Sequence, residues 1–155
     1  MIEFETAEES GAIFGGRYGE QEFHIHVNFE GGATTGEFLE AWNEFEGRTD
    51  SLITFDPEEI HRLLTGHEEV TFGRINLQKN KKEVTISGLP ECLKGSGSEC
   101  DIVYLFFMGD FSLMETHDLA DKVKSNLSEK TEVIISLRQG DDSDIRLYAF
   151  ALCLH

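Results

Sequence analysis

The sequence predicts an α+β fold, a two-layer sandwich in which two or three helices pack on a mixed sheet of four or more strands. Three observations predict it. Glu22 to Phe29 alternates apolar Phe23, Ile25, Val27 and Phe29 with polar Glu22, His24, His26 and Asn28, the period of a strand with one buried face. Asp101 to Met108 is a continuous apolar run, as expected of a central strand covered on both faces. Two other segments carry apolar residues at helical intervals behind a Ser/Thr-x-x-Glu capping box, Thr34 with Glu37 and Ser112 with Glu115.

Along the chain, Met1 to Phe4 supplies an edge strand. Ala12 to Phe14 pairs with Glu22 to Phe29 through a turn at Gly15-Gly16-Arg17-Tyr18-Gly19. Behind Gly31-Gly32, Phe38, Leu39, Trp42 and Phe45 define a helix that ends near Gly47. Asp56-Pro57-Glu58-Glu59 combines an N-cap acid, proline at the first helical position and an acid three residues on; Ile60, Leu63 and Leu64 then form the apolar stripe of a short helix stopping at Gly66. Val70 to Ile75 and Glu83 to Ser87 read as strands around a basic turn at Lys79 to Lys82, followed by a loop whose most flexible point is Gly95-Ser96-Gly97-Ser98. The helix opened by Ser112 sets Leu113, Ala120, Val123 and Leu127 on one face, and Glu132 to Leu137 with Ile145 to Leu154 read as a closing hairpin.

With 155 residues, 39% of them hydrophobic, the chain reads as a single domain, an acidic hairpin and helix (1–47) leading into an α+β core (48–155). No run approaches the roughly 20 apolar residues of a membrane helix, and Met1 to Glu9 is acidic where a signal peptide is basic and then apolar. A cytoplasmic protein without a membrane partner is expected. Cys92, Cys100 and Cys153 leave at least one thiol unpaired and show no C-x-x-C spacing; reduced thiols are the simplest expectation, with a Cys92–Cys100 disulfide or shared metal as the alternatives. The net charge is −17, and residues 1–47 hold 11 acids against the single base Arg17. Such a field disfavours direct binding of nucleic acid or anionic lipid and favours cationic partners or solubility in high salt.

Several pieces from residue 50 onward recur together in a known family. Leu52-Ile53-Thr54-Phe55-Asp56-Pro57-Glu58-Glu59-Ile60 looks like an N-x-D-x-x-D loop and the start of the helix after it, with Thr54, Asp56 and Glu59 at the motif positions. Glu69 to Ile75 looks like a strand ending in a glycine-containing turn. Cys100 to Asn126, with Gly109, Asp110, Leu113 and Glu115, is similar to a "strand, G-x-x-x-L-x-E, helix" pattern, and Asp144-Ile145-Arg146-Leu147 to a final "D-x-I-R-V" strand. In this order they resemble the C-terminal domain of the FtsZ/tubulin superfamily. The helix that the family places after the strand equivalent to Glu69–Ile75 is replaced here by strand-like Glu83 to Ser87. The family's GTPase domain is not represented: residues 1–47 are too few to build it, and Gly31-Gly32-Ala33-Thr34-Thr35-Gly36, flanked by Glu30 and Glu37, is a hairpin exit and helix cap rather than a G-G-G-T-G-[ST]-G loop.

The resemblance implies that the loop of Thr54, Asp56, Glu58 and Glu59 meets a partner, with Asp56 and Glu59 able to enter a neighbouring subunit's nucleotide pocket; as residues they also form a complete helix start. His24 and His26 share a strand face about 6–7 Å apart at Cβ, with Glu22 beside them, a workable metal geometry, although solvent-facing histidines on a polar strand face are the better reading of the pattern. No serine or cysteine has a nucleophile context, and no cofactor is expected. The expected function is therefore a non-enzymatic interaction or assembly module with a protein partner or itself, regulating or capping a filament. The alternatives are an acidic decoy that imitates nucleic acid, and a small metal-binding protein or enzyme built on His24 and His26.

Overall fold

The structure, a computed structural model, describes residues 2–8, 11–18, 20–46, 51–55, 69–81, 83–94, 100–140 and 144–153. These residues form strands β1 (Ile2–Glu8), β2 (Gly11–Tyr18) and β3 (Gln21–Glu30), helix α1 (Thr35–Glu46), strands β4 (Glu69–Asn80), β5 (Glu83–Gly88) and β6 (Cys100–Met108), helix α2 (Leu113–Lys124), and strands β7 (Glu132–Arg138) and β8 (Arg146–Cys153). The strands make one mixed sheet in the order β1-β2-β3-β4-β8-β6-β7, and β5 pairs with β4 outside that row. The α+β class and mixed sheet are those the sequence predicts, and the helices divide between the two faces of the sheet. The helix expected at 57–65 lies outside the described residues.

Alternation along each strand explains the division. On β6, Tyr104, Phe106 and Met108 join Phe38, Ala41, Trp42 and Phe45 of α1 in one apolar cluster. Val103, Leu105 and Phe107 join Leu119, Ala120 and Val123 of α2 in the other. Helix α1 runs diagonally: Phe38 lies 4.6 Å from Phe14 of β2 and 5.6 Å from Phe150 of β8, while Phe45 lies 5.1 Å from Tyr104 of β6. One helix therefore ties the N-terminal strands to the C-terminal ones.

Three expectations are corrected. Gly15, Gly16 and Arg17 are strand residues, and the β2–β3 ladder continues to the Tyr18–Gln21 pair. Gly15 serves close approach rather than turning, since a Cβ there would sit 3.3 Å from His24 Nδ1 and clash with the Glu5 carboxylate. Strands β7 and β8 do not form a hairpin. They flank β6 on opposite sides, β7 parallel to it and β8 antiparallel, with β8 inserted between β4 and β6. Leu147 to Leu152 are buried on both faces, which requires an interior position that a two-stranded hairpin cannot supply. Finally, Leu113 is 50% exposed, and Leu119 takes its place on the buried face of α2.

Candidate functional site

Helix α1 carries an acidic stripe beside its apolar one. Glu37, Glu40 and Glu44 recur at i, i+3 and i+7, and strand alternation on β4, β7 and β8 brings Arg74, Arg138, Arg146 and Tyr148 beneath them. The helix begins with the predicted capping box: the Thr34 amide donates to Glu37 Oε1 at 3.0 Å and the Glu37 amide to Thr34 Oγ1 at 3.2 Å. The same carboxylate also accepts hydrogen bonds at Oε2 from the Arg74 guanidinium and the Tyr148 hydroxyl. Glu40 receives a forked pair of hydrogen bonds from Arg146, both 3.0 Å, and one from Arg138 at 2.7 Å. Glu44, only 3% exposed, accepts the Ser51 hydroxyl at 2.7 Å.

The electrostatics follow from these contacts. Burial alone would raise the pKa of Glu37, but the hydrogen bonds from Arg74, Tyr148 and Thr34 and the Arg74 charge outweigh it and leave the group below the ordinary carboxylate value. For Glu40 the hydrogen bonds from Arg146 dominate and have the same result. Burial, with the neighbouring Glu37 carboxylate, raises Tyr148. Each charge at this interface thus meets its opposite. The acids of α1 point to arginines on the sheet, so part of the acidic excess of residues 1–47 is turned inward and does not form an array for a cationic partner. Reading the sequence segment by segment missed the three arginines and Tyr148; the available signal was a set of basic residues at inward positions of apolar strands facing a helical acid stripe.

Residues 51–55 lie along the outer edge of β7. The Leu52 amide donates to the Leu137 carbonyl at 2.8 Å, and the Leu137 amide donates back to the Ile53 carbonyl at 2.9 Å. Phe55 is buried and stacks on Phe45 at 5.0 Å, which leaves Thr54 exposed between two fixed neighbours. Asp56, Glu58 and Glu59 lie outside the described residues. On β3, Glu22, His24 and His26 share the face away from α1, but the first two are engaged elsewhere: Glu22 pairs with Arg17 at 2.7 Å and His24 Nδ1 lies 3.0 Å from Glu5 Oε2. The Arg17 hydrogen bond and charge lower the Glu22 pKa. Among the described residues no three His, Cys, Asp or Glu side chains gather as a metal site.

The cysteines depart from the expectation of reduced thiols. Cys100 is disulfide-bonded, and the β6–β8 ladder sets it opposite Cys153; Cys92 is free. Burial, together with the nearby Glu30 carboxylate, pushes the Cys92 thiol upward, away from the reactive thiolate.

A further concavity lies between β5 and α2. Thr85 to Leu89, Lys94, Lys122 and Asn126 line a cavity of about 400 Å³. Glu83, Val84, Ser112, Met114, Glu115, Asp118, Leu119 and Lys122 line one of about 210 Å³. The two adjoin at Lys122. No protein-family model and no curated protein gives a significant match to this chain. Among the described residues no helix is long and apolar enough to cross a membrane.

Proposed function

We propose that this chain is a protein-interaction or assembly module of the FtsZ/tubulin C-terminal type, which caps or regulates a filament through the loop that starts at Thr54. The succession β4, β6, α2, β7, β8 supports that reading, while the run of β4 directly into β5 departs from the family pattern. The observation that carries it is the anchoring of residues 51–55. Hydrogen bonds to Leu137 and the buried ring of Phe55 hold this segment against the sheet edge, so that Thr54 is presented from a rigid base, as a contact surface requires.

The test is the assembly of a purified FtsZ-type GTPase followed by light scattering and sedimentation, with and without this chain. Addition of the chain is expected to shorten or slow assembly, and Asp56→Ala/Glu59→Ala to abolish that effect. Unchanged assembly would overturn the proposal, and so would a double variant that melts at a lower temperature yet acts on filaments like the parent, since the acids would then serve only to start a helix.

A further inference from the structure

The groove between β5 and α2 has the construction of a peptide-binding site. Strand β5 pairs with β4 alone, so its second edge has no strand partner among the described residues. An unpaired edge of this kind is a template for an added strand. The larger cavity is lined by five consecutive residues, Thr85 to Leu89. Side chains of consecutive strand residues point to opposite faces, so a continuous lining of this kind is made by the backbone edge itself. Helix α2 stands across from it and forms the opposite wall.

Charge divides the groove lengthwise. The end at Leu89 carries Lys94, Lys122 stands where the two cavities adjoin, and the end at Glu83 carries Glu115 and Asp118. Lys94 pairs with exposed Glu91 at 3.3 Å, and Lys122 has no acid within ion-pair distance among the described residues. Two exposed lysines lining one cavity stand out in a chain of 13 basic and 30 acidic residues. At the acidic end Met114 is 75% exposed and offers an apolar contact. We propose that this groove binds an extended peptide segment of a partner protein, adding it as a strand to β5 with acidic residues of the peptide against Lys94 and Lys122. The described lining shares no residue with the 51–55 segment, so this proposal and the one for the Thr54 loop are tested by different variants.

Panning a phage-displayed library of random peptides against the full chain tests the proposal. Synthetic, fluorescein-labelled copies of the recovered peptides are then measured by anisotropy. The recovered sequences are expected to alternate in the strand manner, to be rich in Asp or Glu at one end, and to perturb the amide resonances of Thr85 to Leu89 and Lys122. Lys94→Glu/Lys122→Glu, at exposed positions where folding is little affected, should weaken them about tenfold or more, and raising the salt concentration should weaken them further. Failure to recover any peptide, recovery without acidic enrichment, equal affinity for the charge-reversed variant, or perturbed amides elsewhere would overturn it. So would a dimer in sedimentation equilibrium that dissociates in the Lys94→Glu/Lys122→Glu variant, because the occupant would then be a second copy of this chain.

Discussion

The two faces of the sheet bury strand residues of different chemistry. Strand β8 shows both at once: Leu147, Ala149 and Ala151 face α2, whereas Tyr148, Phe150 and Leu152 face α1. Under α2 the packing is mainly aliphatic, from Val103, Leu105, Leu137 and Leu147. Under α1 it is aromatic, with Phe14, Phe38, Trp42, Phe45, Phe72, Tyr104 and Phe150 in one network, and it is bordered by the Glu–Arg interface. The difference follows from what each helix must do. Helix α2 connects β6 to the adjacent parallel strand β7, a local crossover. Helix α1 likewise lies between the adjacent parallel strands β3 and β4, but it also joins strands from both ends of the chain, and large rings with fixed charge partners supply more contact per residue for that task.

The largest effect should therefore come from the centre of the aromatic face. Phe38 is 1% exposed and touches Phe14, Phe29, Trp42, Phe72 and Phe150. Phe38→Ala is expected to lower unfolding stability by about 3–5 kcal/mol in urea denaturation, against about 2–3 kcal/mol for Leu119→Ala on the other face. A greater loss at Leu119 would reverse the ranking of the faces.

The polar border of α1 should come next. Glu37→Ala removes the carboxylate shared by Thr34, Arg74 and Tyr148 and strands an arginine that is partly buried. A loss of about 2–3 kcal/mol at neutral pH is expected. Because folding lowers the Glu37 pKa from its ordinary 4.5, its contribution is fully present above that pH and is lost as pH falls through the lower folded value. Parent and variant should accordingly converge in stability on acidification below about pH 4.5. Tyr148 has the opposite sign: its pKa is raised from 10.0, so its contribution is present below pH 10 and is lost as pH rises through the folded value. In Glu37→Ala the ultraviolet titration of Tyr148 should move to lower pH, with burial retaining the rest of the shift.

How far the fold was legible in the sequence depends on whether a feature is local. The alternation of Phe23, Ile25 and Val27 and the run through Leu105 identified β3 and β6, and both capping boxes marked helix starts that the structure retains. Partners were not legible. Leu147 to Leu152 carries the same both-faces-apolar signature as β6, yet its proximity in sequence to β7 suggested a hairpin, whereas burial on both faces demanded two neighbours. The Glu40 contact with Arg146 spans 106 positions, so no window along the chain contains both residues. For the site, Thr54 is where an exposed loop was expected. Lys94 and Lys122, by contrast, line one cavity only because the segment after β5 and helix α2 fold over the same face.

The smallest expected effect isolates what a capping box contributes by itself. Thr34–Glu37 and Ser112–Glu115 are equivalent in sequence, and each glutamate side chain accepts the N-cap amide, at 3.0 Å and 2.9 Å. Glu115 lies in the first turn of α2, and among the described residues no arginine or tyrosine binds its carboxylate, which serves the cap. Glu115→Ala should cost only about 0.5–1 kcal/mol, measured beside Glu37→Ala under the same conditions. Equal losses at the two positions would mean that the bonds from Arg74 and Tyr148 add nothing beyond the cap. The acidic stripe would then be incidental to docking α1, and the aromatic rings alone would account for the way this face holds the two ends of the chain together.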